Sequence, residues 1–415
     1  MMSGRTRWLV VAVALMAGPF ATARLVERRA FDEMQLLEPE GQTSASVSLG
    51  DVDRDGDLDV ILAKGRHWPL RNLLLRNDGR ARFTTEAIGD SADRTYTAAL
   101  ADLDGNGTLD LVVSNDRPDP KLVYLSDSTG HFRRAGTFGD PGWSTRYVTV
   151  ADVDADQRPD IIVANRSSNA ANPRPSYVCR NDGSARFPHC TPLGTQSATI
   201  IVAADLDGDG RIDLLVPHRD GGQSLIFWNE GRGAFAMAGQ PVGPSRVSVR
   251  AAVAGDIDRD GQLDLVIGDL DSRRVLVYRG IGGRAFAEGM EVGQSLDAGA
   301  IAFADLNKDG AGDLVVGASE GRGTLLFNES ARGRLSFTAM PWNDGKGTVY
   351  GIAVGDLDGD GWPEIAAARS DAPNAIWFNR PCRTSTCDGT TGAQSSPAAD
   401  ARATAAVRDG TSSRE

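Results

Sequence analysis

Residues 255–265 read GDIDRDGQLDL. Asp256, Asp258, Asp260 and Asp264 stand at positions 1, 3, 5 and 9 of a nine-residue unit, and Gly261 stands at position 6. A hard cation such as calcium takes roughly six to eight oxygen ligands. Carboxylates at positions 1, 3 and 5 converge when the backbone wraps around an ion. Glycine at position 6 permits the sharp turn. Position 7 then offers its carbonyl, so its side chain is free to vary, and position 9 returns a carboxylate. An ordinary Asp-Gly hairpin turn would not demand four acids in nine residues.

The unit occurs seven times, at start-to-start spacings of 49 to 53 residues. One copy would be a weak signal; seven at a near-constant period identify a repeat architecture. The side chains assigned to calcium are Asp51, Asp53, Asp55 and Asp59 in the first copy, and Asp102, Asp104, Asn106 and Asp110 in the second. Asp152, Asp154, Asp156 and Asp160 follow, then Asp205, Asp207, Asp209 and Asp213. After the copy at 256–264 come Asp305, Asn307, Asp309 and Asp313, and finally Asp356, Asp358, Asp360 and Glu364. Up to seven calcium ions are expected. The third copy departs from the pattern, with Gln157 at the glycine position and Pro159 after it. That site is expected to be weak, distorted or empty.

Short apolar runs flank each unit. Val60-Ile61-Leu62 and Leu265-Val266-Ile267 follow two of them, and a further run such as Leu73-Leu74-Leu75 comes next. A turn such as Asn77-Asp78-Gly79 then leads to a strand opened by phenylalanine: Phe83, Phe132, Phe187, Phe235, Phe286 or Phe337. Runs this short between turn signals favour strands over helices. Four strands per roughly 50 residues make one propeller blade. The expected fold is therefore all-β, a seven-bladed propeller of four-stranded blades. Phe31 lies 20 residues before Asp51, as the other phenylalanines precede their next unit, and the last repeat lacks a fourth strand. Residues 30–38 are expected to complete blade 7 and so remove free sheet edges.

The blocks at 255–265 and at 355–364 (GDLDGDGWPE) resemble the FG-GAP/VCBS repeat family. The resemblance covers about residues 30–380. It implies a propeller similar to that of integrin α subunits, with calcium in the blade loops. It does not choose a function, since such blades occur in adhesion proteins, lectins and some carbohydrate-active enzymes.

The formal charge is −12, from 56 acidic and 44 basic residues, of which only four are lysine. Such a balance disfavours a general nucleic-acid partner. Yet 26 of the acids stand at positions 1, 3, 5 and 9 of the seven units. Seven divalent ions would bring the chain from −12 to +2 and leave an arginine-rich exterior, so anionic partners stay open.

Residues 1–23 read as a secretory signal peptide: Arg5 and Arg7, the apolar stretch from Trp8 to Ala17, then Ala21-Thr22-Ala23. The apolar stretch is half of the roughly 20 residues that a spanning helix needs. A secreted or periplasmic monomer with no membrane span after cleavage is expected. Two short-range disulfides, Cys179–Cys190 and Cys382–Cys387, fit that compartment better than zinc. The propeller is assigned to 24–381, and 382–415 to a small disulfide loop and a polar tail.

In a four-stranded blade the loops opposite the acidic units vary most, and variable loops on a rigid scaffold commonly carry binding. Trp68, Tyr96, Trp143, Arg146, Arg250, Trp342 and Tyr350 are the candidate ligand face. Tyr96, Arg146, Arg250 and Tyr350 each precede a first aspartate by six residues, a spacing that would ring the mouth of the central channel and suit an anion or a sugar. The expected function is a binding or adhesion module for an extracellular protein or glycan. The alternative is a carbohydrate-active enzyme of polysaccharide-lyase type, which a tight cluster of Tyr, Arg and His would favour. No nucleophile elbow, phosphate loop or zinc-protease motif is present.

Overall fold

The computed structural model describes residues 28–167 and 174–382. The stretches expected to be a signal peptide and a polar tail, and Cys387, lie outside the described residues. Among the described residues every element is a strand, and no helix is long and apolar enough to cross a membrane. Seven four-stranded antiparallel sheets form. Blade 5 is representative, with strands Val249–Gly255, Asp264–Asp269, Arg274–Tyr278 and Met290–Val292. The first strand of each blade touches the first strands of the blades on either side, and this succession returns from blade 7 to blade 1. The molecule is a closed β-propeller around a central channel.

The second strands explain why the apolar runs are continuous rather than alternating. Val60, Ile61 and Leu62 are all fully buried because neighbouring blades cover both faces of the sheet. The buried apolar side chains fall into seven clusters, one at each blade–blade interface. Each fully buried Leu, Ile or Val contributes about 1.5–3 kcal/mol by leaving water.

The ring closes as the sequence predicts, with a shorter strand. Met34–Leu36 pairs with Ala375–Trp377 as the outer strand of blade 7, Gln35 facing Ile376. Arg29–Ala30 pairs separately with Arg380–Pro381. Glu38 then accepts from Asn374 Nδ2 at 2.8 Å and from Lys64, tying blade 7 to blade 1. Phe83, Phe132 and Phe337 do open fourth strands. Phe187, Phe235 and Phe286 instead lie just ahead of theirs, which begin at His189, Gln240 and Met290. The Cys179–Cys190 disulfide joins directly opposed residues in blade 3.

One irregularity repeats. In six blades the inner strand slips register around a single extra residue: Ala45, Tyr96, Arg146, Arg250, Gly299 or Tyr350. A β-bulge re-aims the side chain of its extra residue.

Candidate functional site

Each acidic unit joins the first and second strands of its blade. Position 1 organises the turn: Asp256 accepts the N–H groups of Asp260 and Gly261, both at 3.0 Å. Position 5 caps position 7, as Asp260 does for Gln262 at 2.9 Å. Position 9 is fully buried and accepts two main-chain donors; Asp264 takes Ile257 and Gly280, each at 2.8 Å. Burial pushes the carboxyls of Asp59, Asp110, Asp160, Asp213 and Asp264 up to about 6, and those of Asp313 and Glu364 to about 7.

Carboxylate oxygens of positions 1, 3 and 9 gather within 4.8 Å in the first four loops, and those of Asp256, Asp258 and Asp260 do so in the fifth. Asp53, Asp154 and Asp258 each retain a buried Oδ1 with no hydrogen-bond partner. Oxygen-only donors with unpartnered carboxylate atoms fit a hard divalent cation rather than a soft one. Arginine supplies part of the counter-charge at position 3: Arg76 lies 2.9 Å from Asp53, Arg180 2.7 Å from Asp154, and Arg279 3.1 Å from Asp258.

The third loop is not distorted. Gln157 adopts φ +68°, and its N–H reaches Asp152 at 2.7 Å, as glycine does elsewhere. Asp152, Asp154 and Asp160 converge as in the other copies. The glutamine takes the left-handed turn at a local cost of about 1–2 kcal/mol, and the surrounding loop holds it there. Position 4 is left-handed too, at Arg54, Ala155, Arg259 and Lys308 as well as at Gly105, Gly208 and Gly359.

The loops also join blades. Position 2 inserts an apolar side chain into the next interface: Val52, Ile257, Leu306 and Leu357 are fully buried. Its carbonyl accepts from an asparagine at the end of the next blade's third strand. Asn77 reaches Leu357, Asn181 Leu103, Asn229 Val153, Asn328 Ile257 and Asn379 Leu306, at 2.7–2.9 Å. Sequence reading took the Asn-Asp-Gly turns as turn signals and missed this clamp. The recurrence of Asn some 15 to 21 residues after position 9 is the signal that carries it.

At the opposite end of the inner strands lies a cavity of 260 Å³. It brings together the bulged residues Tyr96, Arg146, Arg250 and Tyr350, and adds Arg66, His67, Arg166 and Arg219 from neighbouring loops. The Arg66 and Arg250 guanidinium carbons each lie 3.6 Å from the Tyr350 ring centre, and that of Arg146 lies 4.2 Å from Tyr96. The Tyr96 hydroxyl is 3.2 Å from a His67 ring nitrogen. Burial pushes the Tyr96 hydroxyl up and the His67 imidazole down.

The three tryptophans of the candidate ligand face separate. Trp68 is 69% exposed and stands outside the cavity. Trp143 stacks on Tyr177 at 4.0 Å within the interface of blades 2 and 3. Trp342 is fully buried, donates Nε1–H to the Val316 carbonyl at 2.9 Å and meets Trp377 edge-on. It belongs to the core, because the end of its strand turns inward against blade 7. Lys121 is also buried, with its amine among three carbonyls.

The FG-GAP-like repeat model matches six overlapping stretches: residues 51–113, 109–163, 152–216, 205–267, 256–316 and 305–367. The chain belongs to that family. Among curated proteins, this FG-GAP chain is 28% identical to cartilage acidic protein 1 of Mus musculus over 186 residues, 41% of this chain and 28% of the relative. The Homo sapiens protein of that name matches equally. Integrin alpha-4 of Xenopus laevis is 36% identical over 104 residues, 21% of this chain and 10% of the relative. The matched segments thus span under a third of each relative's length. Among solved structures, BBS1N from its complex with ARL6DN superposes with a TM-score of 0.56 at 13% identity, covering 86% of this chain and 98% of that one. That likeness is one of fold alone.

Proposed function

We propose that this FG-GAP propeller is a secreted, calcium-loaded module that binds an extracellular protein or glycan through the face opposite its acidic loops. The observation that carries the reading is the division of the ring into two ends. Acidic loops clamp blade to blade at one end, and four of the bulges hold Tyr96, Arg146, Arg250 and Tyr350 at fixed places around the channel at the other. The similarity to an integrin α chain and to cartilage acidic protein supports an extracellular partner. Calcium would be held by positions 1, 3, 5 and 9 and by the position 7 carbonyl, and would neutralise acids that otherwise repel.

Two carboxylates about 5 Å apart repel by roughly 3 kcal/mol at an effective dielectric of 20. A site with a Kd of about 0.1 mM in about 1 mM calcium stabilises by about 1.4 kcal/mol. Several such sites together approach the stability of a whole domain. The test has two parts. Metal analysis of protein recovered outside the cytoplasm should find calcium at several ions per chain. A glycan array and a pull-down, each run with and without chelator, should show binding that Trp68→Ala weakens. Absence of bound calcium, or binding indifferent to chelator, would overturn the reading.

The lyase-like alternative has one observation in its favour, the meeting of Tyr96, His67 and Arg146 in one cavity. Against it, burial raises the Tyr96 hydroxyl, the wrong direction for a group that must remove a proton near neutrality. Release of unsaturated uronyl products from uronate polysaccharides would reverse this preference.

A further inference from the structure

The channel mouth carries more positive charge than its carboxylates cancel. Five guanidiniums line it. Asp116 holds Arg146 at 2.6 Å and Asp220 holds Arg166 at 2.7 Å. Arg66, Arg219 and Arg250 make no ion pair among the described residues. Arg66 contacts the Ser370 hydroxyl at 3.3 Å, and its Nε is buried with no partner. Arg219 donates to Ser248. The Arg250 guanidinium makes no hydrogen bond among the described residues, although it is packed against Tyr350. Burial works against the charge of both Arg250 and Arg219, and so do the neighbouring guanidiniums.

Three such groups in one small cavity leave N–H donors that ordinary folding would have paired. We propose that this mouth binds a tetrahedral oxyanion, a sulfate or phosphate group, either free or carried as an ester on a sugar. The inference rests on the reading of this end as the binding face and names the chemistry it selects. A neutral sugar is disfavoured, because guanidiniums already pack against both tyrosine rings and compete for the faces on which it would stack. A single carboxylate offers two oxygens in one plane, whereas a tetrahedral sulfate or phosphate group, even as an ester, offers at least three, one toward each guanidinium. The 260 Å³ volume lies below the roughly 300–1,000 Å³ of ordinary small-molecule pockets, which suits one charged group at the tip of a larger carrier. Arginine's planar fork of donors matches tetrahedral oxyanions directly.

The site is tested by titration calorimetry on the full, calcium-loaded chain. The probes are sodium sulfate, N-acetylglucosamine 6-sulfate, glucose 6-phosphate and sodium acetate, each against chloride at equal ionic strength. Sulfate stabilises proteins non-specifically, so a saturable heat rather than a melting shift is the readout. Sulfate should bind at one site per chain, and Arg66→Gln and Arg250→Gln should each weaken it by about tenfold or more. Both variants remove a repelling charge and should melt no lower than the parent in chloride. If Arg250→Gln does not fold, Arg66→Gln decides. Tighter binding of the sugar esters assigns the site to a glycan; tighter binding of free sulfate assigns it to the free anion. No saturable heat, unchanged affinity in the folded variants, or equal binding of acetate overturns the proposal. Sulfate binding without any recovered partner would count against the module reading alone. A recovered partner without sulfate binding would count against the anion site alone.

Discussion

The side-chain amide of Asn229 donates to the main-chain carbonyl of Val153 at 2.7 Å, across the boundary between blades 4 and 3. The same nitrogen also meets the Ile212 carbonyl at 3.0 Å, and the amide oxygen accepts from Gly231. One residue thus satisfies the turn of its own blade and the acidic loop of the one before. Asn229→Ala leaves buried carbonyls unpaired and should cost about 2–3 kcal/mol. Urea unfolding of the calcium-loaded protein measures this. A loss under about 0.5 kcal/mol, the range of an ordinary surface change, would show that the clamp is dispensable.

The acidic loops give a second expectation. Asp256 organises its turn through two N–H groups even without an ion, so Asp256→Ala should lower the melting temperature somewhat in chelator. In about 1 mM calcium the loss should be larger by about 1.4 kcal/mol, the linkage energy of one site. Equal losses in the two conditions would remove the cation from the account of stability.

Gln157 supplies a third. Its φ of +68° is a conformation that glycine adopts freely and glutamine does not. Gln157→Gly should raise stability by about 1 kcal/mol and tighten divalent-cation binding in blade 3. Differential scanning calorimetry and calcium titration report the two effects; destabilisation would mean that the glutamine side chain contributes a contact outweighing the strain.

Lys121 gives a pH dependence. Its amine donates to the carbonyls of Trp143 at 2.9 Å, Pro141 at 3.2 Å and Asp119 at 3.3 Å, and burial pushes it down to about 8. Below that pH the folded and unfolded states are both charged, and the folded state bears the full cost of burying the ammonium. Between about pH 8 and the ordinary lysine value near 10.4 the folded amine is neutral while the unfolded one is still charged, so stability gains as pH rises. Relative to Lys121→Met, the parent should strengthen by up to about 3 kcal/mol across that window. A stability difference that stays flat with pH would contradict the shift.

The blades and acidic loops were readable because both are strictly local: nine residues carry each turn, and apolar runs mark each strand. The bulge ring was half readable. Spacing placed Tyr96, Arg146, Arg250 and Tyr350 together, but Arg66 and Arg219 arrive from the loops after second strands, whose paths no spacing rule fixes. Position 4 hid its left-handed backbone because Arg54, Arg259 and Lys308 occupy it where Gly105 and Gly208 do so openly. Trp342 was misplaced for a different reason. An aromatic residue suits both a core and a binding face, and only its inward place in the strand, opposite Gly323, separates the two.

Closure through Gln35 and Ile376 also sets a schedule. The Met34–Leu36 strand is matched to a partner about 340 residues later, so it must wait, unpaired, until blade 7 has been made. Six blades can assemble in order as they emerge, while the seventh depends on both extremities of the ring arriving at one place. A late nick near residue 375 would therefore undo the circle as surely as an early one near residue 35.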